Sequence, residues 1–318
     1  MAELNEVILN QIIIMKKQLL FLLFPTLLIA QQKSAIQKQE VVRIETELAS
    51  DKMEGREIFK PGIELASAFI ENEFQKIGLA HFKDLKNYRQ EFTAKGKSAN
   101  NVIGILPGKS KPEEYVIFSA HYDHLGITAS GTDKVYNGAN DDASGTTAVI
   151  ALAKYFKELN SNERTIVFVA FTGEEVGGFG SGYFSKKMDP DKVVAMFNIE
   201  MIGTESKWGK NSAYITGFDL TDFGTILQKN LKGTNFSFHP DPYPNENLFY
   251  RSDNATLAKQ GVPAHTISTS KMDSEANYHQ LSDEVSTLDL DNMTAIIKAI
   301  ALSSQSIINA KDTPTRVR

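Results

Sequence analysis

No cysteine occurs among the 318 residues of the chain. Its absence excludes disulfide scaffolds, thiolate metal sites and cysteine nucleophiles, so any metal ion must be held by histidine and carboxylate side chains. Histidine is scarce as well, with six residues in all. Runs of lysine and arginine are lacking, and a net charge of -5 gives no general attraction to nucleic acid. We therefore expect no nucleic-acid partner.

One apolar run lies close to the amino terminus. Lys16 and Lys17 precede the apolar residues 19–30, a run shorter than the roughly 20 residues that a membrane-spanning helix needs. A basic segment followed by a short apolar run is typical of a signal peptide; a membrane-anchoring helix that includes residues 12–14 is the alternative. We predict that residues 1–30 are an amino-terminal extension and signal peptide. The protein is then exported to the periplasm or the extracellular space, with no stable membrane association after cleavage.

Strand and helix patterns alternate from about residue 101 onward, which indicates an α/β sandwich with a mostly parallel sheet. Residues 31–97 are expected to be a helical lead-in packed on the core, and residues 98–318 a single catalytic domain. The segment 207–251 has a weaker pattern and is expected to form loops over the site. Strands are predicted at 102–106, 115–120, 165–171, 193–202 and 262–269, and helices at 144–159 and 288–308.

His121 stands at the carboxyl end of the strand predicted at 115–120, the place where ligands bind in open α/β sheets. Asp123 can lie beside the ring of His121 and orient it, since a metal-bound imidazole usually hydrogen-bonds a second acceptor. A single histidine at a strand end is more often structural than metal-bound. The acidic motifs elsewhere in the chain favour the metal.

Asp141 and Asp142 lie in a glycine-containing turn just before the helix predicted at 144–159. Capping that helix is one role open to Asp142, because aspartate is a favoured N-cap and its charge suits the positive helix end. Metal binding is the other. Asp141, one residue further from the helix, is the better candidate for a carboxylate that bridges two cations.

Glu174 and Glu175 follow the all-apolar strand predicted at 165–171. Neighbouring side chains in extended backbone point in opposite directions, so one glutamate can face a metal while the other faces an attacking water. A solvated loop is the ordinary explanation of such a pair, but the buried strand before it argues otherwise. The glycine-rich residues 177–182 lack the frames of a phosphate-binding loop, which argues against nucleotide binding.

Glu200 ends another apolar strand, and His279 lies in the polar segment 277–284. Together these motifs supply two histidines and at least three carboxylates. That is the ligand set of a pair of zinc ions, with one glutamate left over as a base. The remaining histidines have no such support and are expected to be structural or surface residues: His81, His124, His239 and His265.

The order of these motifs, together with the upstream segment 53–56, resembles the co-catalytic zinc exopeptidases of metallopeptidase family 28. That family contains aminopeptidases, glutamate carboxypeptidases, glutaminyl cyclases and non-catalytic transferrin receptors. The resemblance implies a three-layer α/β/α zinc-exopeptidase fold, two zinc ions and a peptide substrate. It also implies these roles by motif: His121 and Glu200 hold one zinc, Glu175 and His279 hold the other, Asp141 bridges them, Glu174 is the general base, Asp123 orients His121, and Tyr278 donates a hydrogen bond to the oxyanion.

Two positions depart from the family pattern. Glu200 stands where the family often has aspartate, and the extra methylene is expected to weaken one metal position, so a single zinc is the alternative. Asn254 stands where a family loop often carries histidine. We expect an aminopeptidase; a glutaminyl-peptide cyclotransferase and a receptor-like binding module are the alternatives. The sequence favours no particular oligomeric state.

Overall fold

A computed structural model describes residues 35–317 of the chain. The predicted signal peptide, within residues 1–30, lies outside these residues. Within residues 35–317, no helix is long and apolar enough to cross a membrane. Eleven strands occur in this part of the chain: β1 (Ala80–His81), β2 (Arg89–Ala94), β3 (Lys97–Leu106), β4 (Lys111–His121), β5 (Gly126–Ile127), β6 (Val135–Tyr136), β7 (Arg164–Phe171), β8 (Val193–Ile199), β9 (Ser212–Ile215), β10 (Ser237–Pro240) and β11 (Ala264–Ser268).

Nine of these strands form one sheet in the order β1-β3-β7-β4-β8-β11-β9-β10, with β2 paired to β3. The four central strands, β7, β4, β8 and β11, are parallel to one another. β3 and β9 join this centre in antiparallel orientation on its two sides. β5 and β6 form a separate hairpin. Because the central strands are parallel, their carboxyl ends meet along one edge of the sheet.

Helices cover both faces of the sheet. The apolar side chains of β4 alternate between them: Val116 and Phe118 belong to the larger core cluster, and Ile117 belongs to the smaller one on the opposite face. β7 is buried over its whole length, as its continuous apolar run predicts. The α-helices of the described residues are α1 (Lys38–Leu48), α2 (Pro61–Ile77), α3 (Ser144–Leu159), α4 (Phe179–Ser185), α5 (Phe223–Asn230), α6 (Ala255–Ala258), α7 (Leu290–Ser303) and α8 (Gln305–Ile308).

The predicted lead-in, residues 31–97, contains β1 and β2 in addition to α1 and α2, and both strands pair with β3 of the main sheet. From Ile36 onward the described chain forms one compact unit. The boundary at residue 97 stays a prediction.

The prediction of loops over 207–251 is wrong in part, because this segment contains β9, α5 and β10. Both strands have only four residues and α5 has eight, which is too short to give a clear periodic pattern. Pro240 ends β10 at the edge of the sheet, where a missing backbone donor is tolerated. The closing helix predicted at 288–308 is divided at Ser304 into α7 and α8.

Candidate metal centre

The predicted site residues meet at the carboxyl edge of the parallel strands. His121 is the last residue of β4, Glu174 and Glu175 follow β7, and Glu200 follows β8. β4 is in register with both neighbours, since His121 pairs with Phe171 and Ser119 pairs with Asn198. The register therefore brings the three strand ends side by side. A single pocket is lined by Asp141, Glu174, Glu175, Glu200 and Tyr278, among others.

Asp141 lies between the two predicted histidine ligands. Its Oδ1 is 3.2 Å from Nε2 of His121, and its Oδ2 is 3.2 Å from Nε2 of His279. The same His279 nitrogen is 3.0 Å from Oε2 of Glu175. Ligand atoms about 2.0–2.2 Å from a tetrahedral zinc lie about 3.3 Å from one another. The observed separations are close to that spacing.

The two imidazole nitrogens that face Asp141 are buried but lack a hydrogen-bond partner of acceptable geometry among residues 35–317. Oε2 of Glu200 is unpartnered in the same way. Buried polar atoms are normally satisfied, and these three converge on one place. Orphaned nitrogen and oxygen donors of this kind fit a bound cation.

The electrostatics of the pocket fit a cation too. Burial raises the pKa of Glu174 to about 10 and that of Glu200 to about 7, and neighbouring carboxylates add to both shifts. Burial opposes ionisation of Asp141, yet the neighbouring imidazoles of His121 and His279 hold its pKa well below the usual value. Asp141 and Glu175 in turn raise the pKa of His279 to about 10. The pocket thus concentrates negative charge that a positive ion would neutralise.

Asp123 orients His121 through its main chain rather than through its carboxylate. Nδ1 of His121 is 3.1 Å from the Asp123 carbonyl oxygen and 3.8 Å from the carboxylate. The carboxylate instead accepts hydrogen bonds from the backbone N–H groups of Glu174 and Glu175. The carboxylate of Asp123 therefore fixes the loop after β7 instead of pairing with the His121 ring.

Asp142 has the capping role that the sequence left open. Its Oδ1 accepts hydrogen bonds from the N–H groups of Gly145, in the first turn of α3, and of Met201, just after β8.

Asp283, which was not predicted from the sequence, holds Asp141 in place. Its two carboxylate oxygens accept hydrogen bonds from the N–H groups of Asn140 and Asp141. Its position four residues after His279 was the available signal.

The buried guanidinium of Arg56 holds the backbone of the loops that carry the predicted ligands. Arg56 donates hydrogen bonds to the carbonyl oxygens of Leu48, Tyr122, Asn137 and Gly138. Tyr122 lies between His121 and Asp123, and Gly138 comes shortly before Asp141. One side chain of the amino-terminal segment therefore ties together both loops that carry the predicted ligands.

The sequence profile of peptidase family M28 matches residues 101–303 of the chain. The chain belongs to peptidase family M28. The expected α/β fold is also found in solved structures: the Legionella pneumophila LapA aminopeptidase superposes with a TM-score of 0.69 at 19% identity, covering 86% of this chain and 71% of that chain. A Bacteroides thetaiotaomicron glutaminyl cyclase superposes with a TM-score of 0.66 at 14% identity, covering 87% and 99%.

Curated relatives of this M28 protein include aminopeptidase YwaD of Bacillus subtilis, 31% identical over 39% of this chain and 26% of the relative. A probable zinc metalloprotease of Pyrenophora teres f. teres is 28% identical over 68% of this chain and 50% of the relative. The chain thus spans between a quarter and a half of the length of these relatives. The name of the Pyrenophora relative gives zinc as the metal of that protein.

The two departures from the M28 pattern differ in consequence. Asn254 faces the backbone rather than the pocket, because its Nδ2 donates to the carbonyls of Phe249 and Ala264 while its Oδ1 accepts from Thr266. Asn254 is therefore a structural residue of this loop. Glu200 does reach the pocket, where the Ser252 hydroxyl beside it partly opposes the rise of its pKa.

His124 lies beside the predicted ligands although it was not predicted to be one of them. It was expected to be structural or at the surface; it is buried, with Nδ1 2.8 Å from Oε1 of Glu175 and 3.8 Å from Oδ2 of Asp141. Its donor atom and those of Asp141 and Glu175 are close enough together to hold a metal ion. Its place three residues after His121, in the same loop, was the signal in the sequence.

Proposed function

We propose that this M28 protein is a zinc aminopeptidase with two metal positions. His121 and Glu200 would hold one zinc, Glu175 and His279 the other, and Asp141 would bridge them. One observation carries the proposal: the two carboxylate oxygens of Asp141 face two different imidazoles, each at 3.2 Å. A carboxylate placed in this way suits a pair of cations better than one.

Bound zinc supplies a Lewis acid that polarises the scissile carbonyl and acidifies a water molecule. Glu174 lines the pocket beside Glu175, and its side chain accepts the proton of the attacking water. The protonated side chain of Glu174 then donates that proton to the leaving amine. Glu174 is therefore the proposed general base and acid.

Tyr278 lies at the mouth of the pocket, 38% exposed, with its ring stacked on His279 at a centroid distance of 3.9 Å. Its hydroxyl is the proposed donor to the oxygen on which charge develops. Further along the pocket lie Tyr214, Leu248 and Met272. These apolar side chains leave room for the side chain of the amino-terminal residue of a peptide. Export directed by the amino-terminal segment is part of the same proposal.

The test is a panel of aminoacyl-nitroanilides assayed with purified protein before and after chelation, with zinc analysis of the same samples. We expect hydrolysis that is lost with chelator and restored by zinc, at two zinc ions per chain. Glu174→Gln is expected to keep both ions and lose about 10²–10⁴-fold in turnover. Normal turnover in a folded Glu174→Gln protein would contradict the role of Glu174.

A peptide with amino-terminal glutamine, assayed in parallel, separates the alternatives. Cyclisation of this peptide without hydrolysis of any nitroanilide would identify a cyclotransferase. Protein that binds no zinc and converts neither substrate would identify a binding module. Either result would overturn the proposed function.

A further inference from the structure

We propose that His124 is a positioning residue for Glu175: its Nδ1–H fixes one carboxylate oxygen, so that only the other is presented to the metal shared with His279. The inference rests on the proposed function, since it takes Glu175 and His279 as zinc ligands. It assigns a role to a histidine that stands outside the predicted ligand set. The two oxygens of Glu175 have different neighbours: Oε1 is 2.8 Å from Nδ1 of His124, and Oε2 is 3.0 Å from Nε2 of His279.

The distances fit a hydrogen bond rather than a fourth ligand. At 2.8 Å, Nδ1 of His124 and Oε1 of Glu175 are at the length of a charge-assisted N–H···O bond. Two ligands of one tetrahedral zinc would lie farther apart, at about 3.3 Å. The next carboxylate, that of Asp141, is 3.8 Å from the same nitrogen. An ionised carboxylate only accepts hydrogen bonds, so Nδ1 must carry the hydrogen.

The backbone holds the His124 ring in this orientation. Its N–H donates to the carbonyl of Arg56 at 3.2 Å, and the side chain is fully buried. Gly138 leaves the space for the ring: at a φ of +54°, a Cβ on this residue would come within 2.5 Å of Cδ2 of His124. Nε2 of His124 has no hydrogen-bond partner among residues 35–317. The hydrogen bond to Glu175 is thus the side-chain interaction that this buried ring is built to make.

Fixing Oε1 has a consequence for the metal. A free glutamate can rotate and bind a cation through either oxygen or both, whereas a glutamate with Oε1 engaged offers only Oε2. Outer partners of ligands typically change metal affinity about 10–100-fold. Loss of the Nδ1–H donor should therefore weaken the metal position of Glu175 and His279 and leave the ligand set itself intact.

Two variants separate the donor from the mere presence of a polar side chain. His124→Asn places an amide nitrogen at the position of Nδ1, whereas His124→Gln extends the amide toward the position of Nε2, where Glu175 is out of reach. The control is His81→Asn, at an exposed histidine on β1. Zinc affinity is measured by competition with a chromogenic chelator, the absorption spectrum is recorded after saturation with Co²⁺, and thermal unfolding is followed by circular dichroism.

The expected result is a weaker position that loses about 10–100-fold in affinity in His124→Gln, while His124→Asn and His81→Asn stay within a few-fold of the parent. All four proteins should share one Co²⁺ spectrum at saturation. Equal affinity in His124→Gln and the parent overturns the proposal, as does equal loss in both His124 variants. A changed Co²⁺ spectrum also overturns it, because His124 is then itself a ligand. This experiment does not include peptidase activity. Failure of the proposed function would be detected by the nitroanilide assay instead.

Discussion

The two proposed metal positions are built from different kinds of structure. In the proposal, His121, Glu200 and Asp141 would hold the inner ion, and Glu175, His279 and Asp141 would hold the outer ion. The side chain of His121 is 1% exposed, whereas that of His279 is 34% exposed. The inner histidine ends a central strand, while His279 lies in a loop with its backbone at a φ of +56°.

Support for the two positions differs in the same way. Beneath the inner position, Ser119 donates to Asn198, and Asn198 donates to Ser252 beside Glu200. All of these residues lie on the sheet or against it. The outer position depends on separate loops, which Asp123, Asp283 and His124 join by hydrogen bonds. The inner position therefore depends mainly on strand register, whereas the outer position depends mainly on contacts between loops. We expect zinc to dissociate from the outer position faster than from the inner one.

The largest effect is expected for Asp141→Asn, which changes the one residue that both positions share. The substitution removes the negative charge of the carboxylate and replaces one of its two oxygens with an amide nitrogen, which weakens both positions. We expect a loss of affinity greater than the roughly 10–100-fold caused by outer partners, with hydrolysis abolished. Zinc content after dialysis gives the measurement, and Asp133→Asn, in the exposed β5–β6 loop, is the control. Two tightly held ions in folded Asp141→Asn would show that the positions do not share this residue.

His279→Ala and His121→Ala compare the two positions directly. His279→Ala removes an outer ligand that is partly exposed, so we expect one zinc ion per chain and little change in thermal stability. His121→Ala removes a fully buried side chain, so we expect loss of the inner ion and a lower melting temperature. Metal analysis and thermal melts check both. A His279→Ala protein that keeps two ions would remove the basis for an outer position.

Ser252→Ala tests the support of the inner position alone. Without the hydroxyl, Asn198 loses an acceptor and Glu200 loses a neighbouring donor, so we expect about 10-fold weaker inner metal binding and a loss of stability of about 1–3 kcal/mol. Ser270→Ala, in the same pocket, is the matched control. Equal zinc affinities in the two alanine variants would show that the hydroxyl gives Glu200 no support.

The smallest effect on hydrolysis is expected for Glu45→Gln, a buried carboxylate apart from both positions. Burial raises the pKa of Glu45 from 4.5 to about 8, against a hydrogen bond from Thr147 and the charge of Arg56. The folded state therefore binds a proton more tightly than the unfolded state, and stability from this group falls as the pH rises from about 4.5 to 8.

Urea unfolding of metal-free parent and Glu45→Gln proteins at several pH values isolates this term. The parent should lose up to about 1.4 kcal/mol more per pH unit than the variant within that window. Identical slopes would mean that Glu45 is ionised in the folded protein.

The neighbouring placement of His121 and Glu200 could be predicted from the sequence, because local patterns determine where their strands end. An apolar run that ends in His121, or in Glu200, predicts a strand and the edge where it ends. Strand register then brings these two ends together, whereas the third residue of the inner position, Asp141, comes from the segment before α3. The whole of α3, from Ser144 to Leu159, was predicted for a related reason, since its apolar spacing is local.

The partners of the outer position were less accessible, because they depend on contacts between residues far apart in the chain. His124 meets Glu175 across 51 residues, and Asp283 meets Asp141 across 142. Nothing in the local pattern specifies these pairs. The role of Asp123 likewise depends on a distant loop, because its carboxylate accepts from the N–H groups of Glu174 and Glu175 and leaves its carbonyl to His121.

Arg56 links the amino-terminal part of the described chain to the loops of the candidate site. It precedes residues 101–303, by which the family is recognised, yet its guanidinium grips the carbonyls of Tyr122 and Gly138 inside that region. A fragment trimmed to the recognisable region would keep every proposed ligand and lose the buried cation that aligns their loops. A design that transfers the proposed metal centre to another protein would therefore have to include this arginine, or another group that makes its four hydrogen bonds.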